Sequence, residues 1–129
     1  MHMHMRMLCR LFKPRPIASY EKRILRRVLE VGSDRPPSAA LVVSLDKLMV
    51  YQEGDANFHR DSLYFSGATD TGSVTPIAVA VGTMANDSRV ELIVWARGKT
   101  ITRLELESFN GARFPIRMPI LETIAPYPH

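Results

Sequence analysis

Apolar side chains recur at Ile17, Tyr20, Ile24, Leu25, Val28, Leu29 and Val31. Steps of three and four place them on one stripe of a 3.6-residue helix, so an amphipathic helix is expected here. The opposite side carries Lys22, Arg23, Arg26 and Arg27, with Glu30 in reach of Arg26 at i,i+4 and of Arg27 at i,i+3. Ser19 is the expected N-cap, Glu21 suits the positive first turn, Gly32 suits the C-cap, and Pro36-Pro37 end the helix.

Beyond Pro37 the period falls from 3.6 to 2, and β-branched and aromatic residues alternate between turn clusters. Strands are expected at 40–45 and 48–52, either as a hairpin about Asp46-Lys47 or as one bent strand. Further strands are expected at 58–65, 74–84, 90–97 and 100–109. The last three form a meander through Asn86-Asp87-Ser88 and Gly98-Lys99. Pro76 lacks an amide donor and marks an edge or a bulge.

The strand at 74–84 has two unlike faces. Ile77, Val79 and Val81 point one way, and Ala78, Ala80 and Gly82 the other. The small-residue face admits a close neighbour, first the N-terminal helix and second a symmetry mate.

Both ends of the chain are rich in proline. Pro14 and Pro16 make residues 1–16 a frayed arm or a short edge strand before a linker. The tail interleaves Pro115, Pro119, Pro126 and Pro128 with Ile116, Met118, Ile120, Leu121 and Ile124, and so reads as an extended cover with an edge strand near 118–121. The resulting fold class is α+β, with one N-terminal amphipathic helix packed on a five- or six-stranded, mostly antiparallel, twisted sheet. Residues 1–16 are a basic N-terminal arm and 17–129 a single α+β domain.

Composition agrees with a folded domain: 129 residues, 46% hydrophobic and 23% charged, enough for a core without metal or disulfide staples. The single cysteine, Cys9, has no intramolecular partner, which favours a reducing cytoplasm. No apolar run approaches a spanning helix or a signal peptide, so neither membrane insertion nor export is expected.

The charge is uneven. Residues 1–35 hold nine Lys and Arg against three Asp and Glu, although the whole chain carries only +4. A basic patch of Lys22, Arg23, Arg26 and Arg27 could meet phosphates, yet one solvated helix produces the same imbalance. Neither a second helix for a helix-turn-helix nor an aromatic stacking strand is apparent, so nucleic acid is not the favoured partner.

Two clusters could carry chemistry. His59 and Asp61 share a strand face next to Glu53 and Asp55, a set able to hold an ion or to orient a histidine base. No second histidine completes a usual zinc set, and no metal is assigned. In the last hairpin Trp95 shares a face with Glu91, Ile93 and Arg97, and Glu105 shares one with Arg103 and Glu107. Where those faces coincide, the indole sits beside paired carboxylates, an arrangement that separates their pKa values. Alternating Arg and Glu across strands also form plain ion pairs on a solvated face.

No Gly-x-Ser-x-Gly elbow and no phosphate-binding glycine loop is present, so no catalytic residue is assigned and no cofactor is expected.

Arg15-Pro16-Ile17, Glu21, Ile24-Leu25 and Val28-Leu29, then Leu104-Glu105-Leu106 and Pro115, resemble an uncharacterised family of small bacterial domains. That family opens with Arg-Pro-aliphatic, a glutamate and a short helix, and closes with a Glu-Leu-rich hairpin and a proline. The chain has Arg60-Asp61-Ser62-Leu63-Tyr64-Phe65 where the family's middle has a glycine-rich turn. The resemblance implies an accessory bacterial protein without an assigned activity.

A single helix leaves part of such a sheet uncovered, so a homodimer is expected. The leading expectation is a cytoplasmic accessory protein that acts by binding, chiefly to protein, itself included. The alternative is a small enzyme or ligand-binding protein whose cup is lined by His59, Asp61, Trp95, Glu105 and Glu107.

Overall fold

The computed structural model describes residues 9–54, 60–66, 71–109 and 118–128, with side chains from residue 13 onward. In chain order the elements are β1 (Cys9–Pro16), α1 (Ser19–Gly32), α2 (Ala39–Ser44), β2 (Met49–Gly54), β3 (Arg60–Ser66), β4 (Val74–Thr83), β5 (Arg89–Arg97), β6 (Thr100–Ser108) and β7 (Ala125–Pro126). The strands form one sheet in the order β1-β2-β3-β6-β5-β4-β7, antiparallel at every pairing. The α+β class therefore stands, with seven strands in place of five or six and two helices in place of one among the described residues.

Helix α1 follows from the apolar stripe. Ile24, Leu25, Val28 and Leu29 are fully buried against Ala78 and Ala80 of β4 and Leu92 and Val94 of β5. Each such side chain contributes about 1.5–3 kcal/mol on leaving water. The element lying on the small-residue face of β4 is thus the chain's own helix, and that row is closed to a symmetry mate. Gly32 is the point of closest approach: a Cβ there would collide with the backbone of Val79.

Details of the helix ends differ from expectation. Ala18 is the N-cap and Ser19 is already helical. Alanine has no acceptor to offer, and the cap is held instead by Glu21, whose Oε1 accepts from the Ala18 backbone N–H at 2.8 Å. Gly32 is the last helical residue and Ser33 the C-cap.

Tyr20 is 38% exposed, not core. Its hydroxyl donates to the Pro119 carbonyl at 2.7 Å and accepts from the Leu121 amide at 3.2 Å, which moors the tail to the helix.

Residues 40–45 are helical, not a strand, and no hairpin forms about Asp46-Lys47. Ser38 caps α2 by accepting from the Leu41 N–H at 3.1 Å. Behind two prolines, that cap starts a helical turn which continues as a 3-10 turn at Leu45–Lys47. The edge strand of the tail lies at Ala125–Pro126, where it pairs with Ala80 and Val81, and not at 118–121. Leu121–Thr123 curls into a 3-10 turn, in which the Thr123 hydroxyl donates to Ile120 O and accepts from Thr83 N–H.

Other expectations agree with the fold. Segment 9–16 is an edge strand, as its prolines require, so the sheet begins inside the basic arm. Strands β4, β5 and β6 are the sequential meander, and β4 bulges between Pro76 and Ala78. Among the described residues no helix is long and apolar enough to cross a membrane.

Candidate binding face of the sheet

Alternation along each strand gives the sheet two unlike faces. Leu63, Phe65, Val90, Leu92, Val94, Leu104 and Leu106 point toward the helix side and are buried. On the other face, register stacks three rows across the strands. Tyr64, Arg103 and Trp95 form one row, Ser62, Glu105 and Ile93 the next, and Arg60, Glu107 and Glu91 the third. A bulge between Trp95 and Ala96 absorbs one extra residue of β6, and this brings Arg103, Glu105 and Glu107 onto the same face as Trp95.

Glu105 is the centre of that face. Its side chain is 5% exposed, and its Oε1 accepts from Trp95 Nε1 at 3.0 Å and from Arg103 Nη2 at 2.6 Å. Arg60 Nε stands 3.3 Å from Oε2 and 4.0 Å from the Glu107 carboxylate. Burial pushes the Glu105 carboxyl above its ordinary value, against the opposing pull of Arg103 and Arg60.

Arg103 is itself fixed on several sides. Its guanidinium carbon lies 5.3 Å from the Tyr64 ring centroid and 5.8 Å from that of Trp95, and its Nε donates to Ser62 Oγ at 3.3 Å. Tyr51 extends the row onto β2, with its ring 6.2 Å from Tyr64 in a tilted pair. The outcome is a ladder of Tyr51, Tyr64, Arg103 and Trp95 across four strands, propped from one side by a buried carboxylate.

Three of the five proposed cup residues, Trp95, Glu105 and Glu107, share this face. Asp61 does not: its register partner is Leu106, on the helix side with Leu63 and Phe65, and its Oδ1 accepts from the Ser62 N–H at 2.9 Å. His59 lies outside the described residues. Sequence reading missed Arg60, Ser62, Tyr64 and Tyr51 as members of the site. The period-2 spacing of residues 60, 62 and 64 carried the signal, and the β3–β6 register was needed to read it.

The basic patch is partly engaged within the chain. Lys22 Nζ is 2.7 Å from Asp46 Oδ1 and holds that carboxyl below its ordinary value, Arg26 pairs with Glu30 at 3.3 Å, and Arg23 stacks over Tyr20. Arg23, Arg26 and Arg27 line a shallow groove with Leu121 and Glu122.

Comparison with protein-family models, with curated proteins and with solved structures gave no match to the chain.

Proposed function

We propose that the chain is a small cytoplasmic accessory protein that acts by binding polypeptide, and that its working surface is the face of the sheet that no helix of the described residues covers, hereafter the helix-free face. The observation that carries this reading is the ladder of Tyr51, Tyr64, Arg103 and Trp95 across four strands. Tyr, Trp and Arg dominate binding energy at protein interfaces because they present large rigid area with a polar handle. Here the arginine is held before any partner arrives, which lowers the ordering cost of docking.

Two other readings are less well supported. A phosphate backbone would meet Glu91, Glu105 and Glu107 on the same face, and the Lys22, Arg26 and Arg23 side chains of the helix already have partners within the chain. An enzyme cup would need Asp61 on the face that it does not occupy, and Glu105 is already clamped by Trp95, Arg103 and Arg60.

Site-specific photo-crosslinking in cells of the source organism tests the reading. A crosslinker replacing Tyr51 should give protein adducts that Trp95→Ala and Arg103→Ala abolish, while one replacing Arg27 on the helix gives none. Equal adducts from both positions, or none from the sheet face, would overturn it.

A further inference from the structure

We infer that the polypeptide received by this face is a second copy of the chain, packed face to face about a two-fold axis that crosses the strands at the level of Val94 and Leu104. The inference rests on the helix-free face being the binding surface. It adds which polypeptide occupies the face and in what orientation.

The argument is one of charge along the strands. The Val94–Leu104 pair divides the face into two halves. On one side stand the row of Trp95, Arg103 and Tyr64 and, farther out, Arg97 opposite Thr100. On the other side stand the row of Ile93, Glu105 and Ser62 and, farther out, Glu91 opposite Glu107. The first end thus carries Arg97 and Arg103, while the second carries Glu91, Glu105 and Glu107 against Arg60 and Arg89, so one is net cationic and the other net anionic, with Trp95, Tyr64 and Ile93 among them.

Among the described residues, charges at both ends are poorly served. Glu91 and Glu107 face each other directly across β5 and β6, a like-charge pairing that disfavours the strand pair, and the Arg89 guanidinium at this end is stacked over the Phe109 ring at 5.8 Å. Arg60 Nε lies 3.3 Å from Glu105 and 4.0 Å from Glu107 as an ion pair, without a hydrogen bond to either. At the opposite end the buried Nε of Arg97 has no hydrogen-bond partner among the described residues.

An axis in the plane of the interface and perpendicular to the strands joins these ends. It keeps each strand over its own counterpart and reverses its direction, so the two sheets form an aligned sandwich about 10 Å thick. Arg97 and Glu91 lie six residues apart on β5, about 20 Å, and symmetric about Val94. The operation therefore sets Arg97 over the second copy's Glu91, Arg103 over its Glu105, and Trp95 over its Ile93. Each contact occurs twice, as an isologous interface requires.

Charge exchange tests this geometry on the purified full chain by sedimentation equilibrium over about 1–100 µM. Wild type should dimerise. Arg97→Glu and Glu91→Arg, each with an unchanged circular dichroism spectrum, should weaken the dimer by about tenfold or more. The double variant R97E/E91R should recover wild-type affinity, and an equimolar mixture of the two single variants should form a heterodimer.

Wild type that stays monomeric at the top concentration, or single variants rescued neither by combination nor by mixing, would overturn the second copy as occupant. If Tyr51 still crosslinked to a different protein in cells, the binding face would stand and only its occupant would change. Loss of both results would remove the face itself.

Discussion

The indole of Trp95 reaches Glu105 on the diagonal. The two are hydrogen-bonded at 3.0 Å, although in register Trp95 stands opposite Arg103 and Glu105 opposite Ile93. Arg103, lying between Tyr64 and Trp95, donates to the same Glu105 oxygen at 2.6 Å. One carboxylate oxygen thereby sets the position of both the indole and the guanidinium.

Burial raises the Glu105 carboxyl above its ordinary value, and this gives stability a definite pH dependence. In the window above that ordinary value the folded state binds more protons than the unfolded state. Stability from this group is therefore complete at lower pH and declines as pH rises through the window. Glu105→Gln removes the titration and keeps an acceptor for Trp95 and Arg103. The melting temperature of the variant relative to wild type should climb from acidic to neutral pH. A constant offset across that range would show that Glu105 does not titrate differently on folding.

Gly32 separates propensity from packing. In a helix interior, Gly to Ala ordinarily gains about 0.5–1 kcal/mol. Here the added methyl would collide with the Val79 backbone, so α1 would have to lift off β4. Gly32→Ala should lose about 2–3 kcal/mol in urea unfolding, as overpacking does where backbone blocks relief. A gain in stability would mean that the helix end does not approach the strand so closely.

Arg15 fastens three elements at one point. Its guanidinium binds both oxygens of Glu21 on α1, at 2.9 and 2.8 Å, and Glu53 on β2 at 2.7 Å, while the residue itself belongs to β1. The bonds from Glu21, reinforced by Glu53, raise its proton affinity further above the ordinary arginine value. Since its side chain is 33% exposed, solvent screening limits the effect to about 1–2 kcal/mol on Arg15→Ala. Arg15→Lys should recover less than half of this, because an ammonium group cannot grip a carboxylate with two parallel bonds. Amide exchange should quicken along β1 in both variants, and equal exchange in all three proteins would exclude the fastening role.

The meander of β4, β5 and β6 was legible because turn chemistry punctuates period-2 strands. Asp87 and Gly98 adopt positive φ, 69° and 60°, at the two turns that the sequence marks. Helix α1 was legible from its stripe. Residues 40–45 misled because a short apolar run has no decisive period, and Ser38 behind Pro36-Pro37 was the overlooked start signal. The coincidence of Trp95 with Glu105 could be posed from alternation but not decided. It depends on the bulge between Trp95 and Ala96, a property of register and not of composition. Tyr51 and Tyr64 join the site through pairings between distant segments, which alternation within one strand does not reveal.

The strand order has a consequence for how the chain reaches its native state. The strands that α1 covers, β4 and β5, are separated from it in sequence by α2, β2 and β3, and β3 meets the meander only along β6. Until the helix arrives, the meander exposes Ala78, Ala80, Leu92 and Val94, and until the meander forms, the helix has nowhere to bury Ile24, Leu25, Val28 and Leu29. Each half of the chain thus supplies the solvent shield of the other, which makes folding all-or-none and ties its rate to the closure of long loops.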